Sequence, residues 1–552
     1  MFLSQGFIPT ATAVGGSVLI SALIALIPLV LFFVLLGAFK TPTHWCAVIS
    51  LVAAIAIAVF GFHMPWDMSL NTSLQGAVFG VFPILYIVIM AVWLYNLTET
   101  SGRSHDVQAI FSAVGRGDKR VQAILIGFCF CGLMEGLAGF GAPVAISCAM
   151  LLAIGVTPLK AGLAAMVGNG ITVGFGAMAI PVTTVARLGG NASATAVGAT
   201  MGRISPFIAL WVPALILVIV DGKRGVRQVW PAALAAGTGM ALGYFLGANY
   251  ISYELAAVLA SLMSLLFVVI LMRFWQPKET PEDQASAPNT EKISASRGFL
   301  GLFPYLLVVV ILAVTKLVKP LAAWLASFDI TFGWPGLDGR LLDGAGKVST
   351  STQFSLNWAS SPGTMLLLTG IIVAIVYGAT GHSEKYSYSF GKGIATLGKT
   401  IYNLRITILT IAVIMALAYV MNFSGQTNAI GTALAATGGA FAFLSPVLGW
   451  IGTAVTGSAT SSAALFGNLQ ATAAQTAGIH PHLLLGVNEI GGGLGKIVSP
   501  QNLTIAAGAI KEPGSESKLL IGGAKYSLIM LVVLSIITVL ASTGVFGWII
   551  VS

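Results

Sequence analysis

An all-α polytopic membrane protein of about 12 to 14 spans, carrying two broken or re-entrant helix regions, is the fold the sequence predicts. Three observations predict it. Of 552 residues, 57% are hydrophobic and only 8% charged, where a soluble domain carries about 25% charged. Apolar runs long enough to cross a hydrocarbon core recur along the whole chain. Two of those runs are interrupted by Gly, Ser and Pro in a matched pattern. The first block, residues 132–181, reads GLMEGLAGFGAPV and later GNGITVGFGAMAIP; the second, 456–501, reads TGSATSSAALFGN and later VNEIGGGLGKIVSPQ.

The spans follow from the apolar runs in order. They lie near residues 18–39, 44–62, 74–98, 121–138, 160–187, 204–220, 226–248, 251–272, 300–318, 363–380, 401–422, 427–450, 480–510 and 525–550. The stretches 139–155 and 451–475 read either as short spans or as halves of re-entrant hairpins. The first 39 residues carry no charge, so the basic leader of a cleavable signal is missing and the first run reads as a span.

Loop charge sets the orientation. Arg103, Arg116, Lys119 and Arg120 share one loop, Lys223, Arg224 and Arg227 a second, and Lys278, Lys292 and Arg297 a third. The positive-inside rule makes all three cytoplasmic. The net charge of +9 is then a membrane-orienting charge facing an anionic leaflet, and nucleic acid is not an expected partner. Residues 276–298 are polar and rich in Pro and Ser. They read as a flexible cytoplasmic linker between a half at 1–275 and a half at 299–552. Residues 327–361 should lie outside the membrane. Cys46, Cys129, Cys131 and Cys148 sit in apolar runs without metal-ligand spacing, so neither a disulfide framework nor a metal site is implied. No cofactor motif is present, and an enzyme is not expected.

The blocks keep nearly one offset, 317 to 319 residues, at Gly139/Gly457, Asn169/Asn488, Gly174/Gly491 and Pro181/Pro500. Unwound backbone is costly in lipid and tolerated where it lines a protein cavity. Matched interruptions in two halves are the sequence pointer to a transporter's binding site, and the loop parity makes the two blocks an inverted repeat. The competing reading is a pair of small-residue packing faces.

Ionisable groups at membrane depth are functional candidates. Glu135 directly precedes the first break and reads as a proton carrier or as a cap on exposed N–H groups. Glu489 and Lys496 flank the glycines of the second break; they either pair with each other or present charge to a substrate or proton. Arg405 sits in a long apolar run. Its planar fork suits a carboxylate, and the alternative is snorkelling to the cytoplasmic edge. Gly139, Phe140, Gly141, Asn169, Ser458, Thr460, Ser461, Asn488, Ser499 and Gln501 complete the expected substrate site. They supply hydroxyls, amides and half-helix N-termini, whose backbone N–H groups and positive dipole ends favour an anion.

LMEGLAGFGAPVAI (Leu133–Ile146), GFGAMAIPV (Gly174–Val182), ALFGNLQATAAQ (Ala464–Gln475) and GGGLGKIVSPQ (Gly491–Gln501) together resemble the L-lactate permease family of bacteria and archaea, which includes glycolate permeases. The resemblance runs essentially end to end. It implies proton-coupled symport of small 2-hydroxy monocarboxylates across the bacterial inner membrane, with a monocarboxylate anion, a proton and the lipid bilayer as partners. The alternative is a sodium-coupled carrier of another small organic anion, using the Ser, Thr and Asn oxygens for the cation. Glu135 matches the family's Glu before AGFGAP, Arg405 falls at a basic position that is commonly Lys, and Lys496, Ser499, Pro500 and Gln501 match its GK-x-x-SPQ element. The chain departs where the family's TGSDTSSNALFG becomes TGSATSSAALFG. Ala459 stands for Asp and Ala463 for Asn, while Glu489 brings a carboxylate to the region that lost one. The expectation is that Glu489 shares the proton-coupling role with Glu135.

Overall fold

A computed structural model of the chain describes residues 6–552, apart from 40, 115–116, 138, 140, 281, 283–293, 344–345, 382–385 and 513–514. Helices dominate, with one two-stranded sheet among the described residues. Among the described residues, eleven helical stretches are long and apolar enough to span a membrane, or twelve with one bent pair. One of the eleven, Ala194–Ile251, has 58 residues. At 1.5 Å per residue that is about 87 Å, more than one crossing of a ~30 Å core. It breaks at Gly222, whose φ of 64° and ψ of −149° are non-helical.

The first span is α1 (Val18–Ala25) and α2 (Ile27–Gly37). Leu19, Leu23, Ile27, Val30 and Val34 are all exposed, spaced three or four apart as a lipid-facing stripe requires. Next come α3 (Thr43–Ala56), α4 (Trp66–Phe79) and α5 (Tyr86–Thr100), then α6 (Ser104–Val114). Pro83 kinks the run between α4 and α5, since it removes a helical N–H.

The first block begins with α7 (Lys119–Ile124), which continues through a π-helical turn into α8 (Cys131–Leu137). A second helix, α9 (Ala142–Ala153), turns back beyond α8, and α10 (Pro158–Gly170) and α11 (Gly176–Leu188) follow. At 12 residues, α9 is about 18 Å long and cannot span. The ambiguous stretch 139–155 is therefore half a hairpin. Residues 160–187, expected as one span, are α10 and α11 bent by 54° at their break.

Then come α12 (Ala194–Ala209), α13 (Val212–Leu246), α14 (Ala256–Phe274), α15 (Ala295–Leu317) and α16 (Lys319–Ala326). Most of the expected linker at 276–298 lies outside the described residues, and its last four residues are the first turn of α15. Strands β1 (Ile330–Gly333) and β2 (Gln353–Leu356) pair antiparallel, Ile330 opposite Leu356. They are followed by α17 (Pro362–Thr380), α18 (Phe390–Ser424) and α19 (Gln426–Ala435).

The second block is α20 (Phe441–Thr456), α21 (Ala459–Ala477), α22 (Pro481–Lys496) and α23 (Pro500–Ala509), and α24 (Glu516–Ser542) ends the chain. Residues 427–450 were expected as one span. They are instead α19 and most of α20, because Gly438, at φ 59°, opens a turn that helix cannot continue through.

Both blocks thus read helix, break, helix, loop, helix, break, helix, and they are inverted. Arg120 bonds Asp118, Asp221, Gln228 and the carbonyl of Glu279, so three basic loops share one face. The first hairpin starts and ends there: a Cβ on Gly155, just past α9, would come within 3.1 Å of the Lys119 side chain. Lys160 donates to the carbonyl of Val220 on the same face (2.7 Å). At its other end α11 reaches the opposite face, where Arg187 donates to Gln353 of β2 (2.5 Å). The second hairpin does the reverse. The end of α21, Gln475, lines a cavity with Arg187, while beyond α23 Ile510 packs beside Gly162, next to Lys160.

Candidate functional site

Gly139 and Gly457, the equivalent glycines of the two hairpins, both take a left-handed φ, 60° and 74°. This lets each chain reverse without a helical connection. Serine and alanine then restart the helix: the Ser458 hydroxyl accepts from the backbone N–H of Ser461 at the N-terminus of α21. In the partner break, Ser499 caps α23 by accepting from Asn502. A third half-helix start, in α11, is unusual. Ala177, Met178 and Ala179 are three successive left-handed residues without a glycine among them. Each costs about 1–2 kcal/mol, and such strain concentrates where geometry is functional.

These breaks converge on a cavity of about 400 Å³. Its wall takes Gly139, Gly176 and Ala177 from the first block, and Gly457, Ser458, Thr460 and Ser461 from the second. Lys496 and Gln501, either side of the α22–α23 break, also line it. Pro42, Thr43 and His44, at the start of α3, and Ile406, Thr407, Thr410 and Ile411 of α18 close the rest. The end of the α4 side is fixed by Arg340 on Asp67 (2.6 Å), on the face opposite the basic loops. The α2–α3 turn therefore lies on the basic face, and the cavity reaches toward that face.

Inside the cavity a single ion pair stands out. The ammonium of Lys496 lies 3.5 Å from Glu135, and the side chains are 7% and 2% exposed. Asn169, fully buried, donates to the other Glu135 oxygen (2.8 Å). Glu135 is the one carboxylate, and Lys496 the one Lys or Arg, among the described residues of the lining. Lys496 ends α22, where the negative end of the helix dipole favours a cation. Ala459 lines the same wall.

Several expected residues meet here: Glu135, Gly139, Ser458, Thr460, Ser461, Lys496 and Gln501 all line the cavity. Asn169 stands directly behind Glu135. Gly141 (φ 85°) is the start of α9, against Ile505, and is not in the lining. Ser499 is buried in its cap. Phe140 lies outside the described residues.

Three expectations are corrected by the geometry. Lys496 pairs with Glu135 rather than with Glu489. Glu489 and Lys496 are seven residues apart on α22, about 10.5 Å of helical rise, beyond ion-pair reach. Glu489 is not in the lining of the cavity it was expected to face. One of its oxygens accepts from Asn488 (2.9 Å), and the other, buried, has no hydrogen-bond partner among the described residues. Asn488 is held in turn by Gln470 (3.2 Å), so it belongs to that buried network. Arg405 is exposed on the outer surface of α18, stacked over Tyr402 at 4.1 Å and donating to its carbonyl. Its neighbours one and two residues on, Ile406 and Thr407, face the cavity instead.

The contributions of Pro42–His44 and of α18 had no counterpart in the sequence reading. The only available signal was Pro42-Thr43, a helix-start dipeptide beside a span.

The family model for L-lactate permease matches residues 21–544. Among similar proteins, glycolate permease GlcA of Escherichia coli K12 is 35% identical, covering 95% of this chain and 96% of that one. An L-lactate permease of Bacillus subtilis 168 is 34% identical over 98% of this chain and 99% of its own length. An L-lactate permease of Escherichia coli K12 is 34% identical over 95% and 96%.

Proposed function

The chain belongs to the L-lactate permease family and is a multi-pass transporter of the bacterial plasma membrane, and on that premise we propose proton-coupled symport of small 2-hydroxy monocarboxylates of the lactate and glycolate type. The observation that carries the reading is the buried Glu135–Lys496 pair in the cavity between the breaks.

Charge bookkeeping at that pair gives the coupling. With Glu135 ionised, the empty site is neutral. A substrate carboxylate entering alone leaves one net negative charge, because Glu135 already holds Lys496. A proton on Glu135 alone leaves one net positive charge. Proton and carboxylate together restore neutrality, with Lys496 released to the substrate. An uncompensated charge in a low-dielectric setting costs several kcal/mol. The empty and doubly loaded sites therefore rearrange readily and the half-loaded ones do not, which is one-to-one symport. The hydroxyls of Ser458, Thr460 and Ser461 and the N-terminus of α21 supply donors for the carboxylate and partners for the 2-hydroxyl. By the positive-inside rule the basic face is cytoplasmic, so the cavity reaches the inner side.

The test is uptake of labelled L-lactate and glycolate into proteoliposomes under an imposed pH gradient without sodium. Accumulation that follows the pH gradient is expected. Accumulation that needs a sodium gradient at fixed pH would replace the proton in this scheme.

A further inference from the structure

A second cavity, of about 510 Å³, lies on the other face. It shares three helices with the first. On α11 the walls are Pro181 for the inner cavity and Arg187 for the outer one; on α18, Ile411 and Tyr419; on α21, Ser461 and Asn468. Those separations are six to eight residues, about 9–12 Å of helix. Between them the three walls are buried and mostly apolar, including Val182, Ile414, Met415, Leu417, Ala463 and Phe466. A buried, mostly apolar stretch thus separates the two cavities along the helices they share, as it would the two ends of a closed route.

The chemistry of the outer cavity suits an anion. Arg187 is the one cationic residue in its described lining, and Asp343 the one acid. Asp343 accepts from the backbone of Lys347 in its own loop (2.9 Å). Arg187 is half-buried. One of its nitrogens donates to Gln353, and Phe79 and the Tyr419 hydroxyl lie beside it. The amides of Asn191, Asn422, Asn428 and Asn468 line the same cavity. Asn468 donates to Asn428 (2.9 Å) and to Thr427 (2.5 Å), and Thr427 donates to Asn422 (3.0 Å). A guanidinium with amides around it is the donor set for a carboxylate with a neighbouring hydroxyl.

We propose that this cavity is a second binding site for small carboxylate anions, centred on Arg187, which captures them on the external face. Its place on a route rests on the transport reading above; its ability to bind does not.

The test uses the full chain in right-side-out membrane vesicles with a reporter thiol, Thr432→Cys, on the cavity wall. The native cysteines are all buried. A membrane-impermeant maleimide should label the reporter, and glycolate or L-lactate should slow labelling. That protection should persist with Lys496→Gln, which disables the inner site. It should need about tenfold or more acid with Arg187→Gln, the weight of one charge-assisted hydrogen bond, and be partly restored with Arg187→Lys, which also serves if the glutamine variant does not insert. Protection indifferent to Arg187 but lost with Lys496→Gln overturns the second site while leaving the inner one intact. Labelling only in inside-out vesicles overturns its external placement. Protection that weakens with Arg187→Gln and survives Lys496→Gln, together with no uptake in proteoliposomes, would instead remove the transport reading and keep this site, whereas protection indifferent to Arg187 in every background overturns it.

Discussion

The two repeats place an asparagine at one equivalent position and attach a glutamate to each, yet the surroundings differ. Asn169 holds Glu135, which faces a cavity and a lysine 3.5 Å away. Asn488 holds Glu489, which is buried behind Gln470 and Ser445 with no ion pair among the described residues. The glutamates themselves are not repeat-equivalent: Glu135 comes from the preceding hairpin, whereas Glu489 is the neighbour of its own asparagine. One pair therefore bridges two elements, α8 and α10, and the other sits within a single helix, α22. In the proposed scheme the proton acts on such a bridging contact, so the scheme assigns coupling to Glu135 and none to Glu489.

The largest effect should come from Glu135→Gln. The empty site then carries the lone charge of Lys496 and cannot return, while the substrate-loaded site is neutral. Concentrative uptake should be abolished and counterflow of labelled lactate retained. Normal pH-driven accumulation by this variant would move the proton to another group. The same variant strands a buried cation, a loss of about 3–5 kcal/mol. Adding Lys496→Met should recover thermal stability without recovering transport.

Glu489→Gln should be far milder. The amide keeps an oxygen toward Asn488, and a change in one net hydrogen bond is about 0.5–1.5 kcal/mol. Uptake and its pH dependence should stay close to the parent. Loss of uptake as complete as in Glu135→Gln would mean the dry pair also cycles, and the contrast between the repeats would fail.

The hairpin glycines sharpen the comparison on stability. Both are left-handed, so alanine costs about 1–2 kcal/mol at either. Their space differs: a Cβ at Gly457 would fall 2.5 Å from the Gln501 side-chain oxygen, while one at Gly139 would meet Glu135 at 3.5 Å. Melting temperature in detergent should drop more for Gly457→Ala than for Gly139→Ala. Equal drops would show that φ alone sets the cost.

What could be read from the sequence divides along a physical line. The breaks were legible because Gly139, Gly457, Pro181 and Pro500 act locally, through φ and missing N–H groups. The shared offset holds at Gly139 and Gly457, both left-handed, but not everywhere: Gly174 lies in the break between α10 and α11, whereas Gly491 is inside α22. The Glu135–Lys496 contact was not legible, because it joins residues from opposite repeats and no spacing encodes it. Glu489 was misplaced because the repeat offset predicts which asparagines correspond, not which face of α22 is wet. The outer residues of the cavity, Thr43 and Thr407 among them, were invisible because a threonine in a span also serves as helix-packing polar glue and carries no charge to mark a cavity.

Arg405 tests that last limit with the smallest expected effect. On a soluble helix a charge marks the wet face, but the cavity side of α18, Ile406, Thr407, Thr410 and Ile411, is uncharged like the lipid side, so the run around Arg405 could not say which way it points. One residue is a rotation of about 100°, enough to put Ile406 on the cavity and Arg405 outside. There the guanidinium stacks on Tyr402 and bonds its carbonyl, as a long basic side chain does when its stem lies along apolar surface and its head seeks the interface. Arg405→Gln should then leave the apparent affinity for L-lactate unchanged and shift stability by no more than about 0.5 kcal/mol. A clear rise in the KM for lactate uptake, with stability held, would bring this side chain back to the substrate and require α18 to rotate during transport.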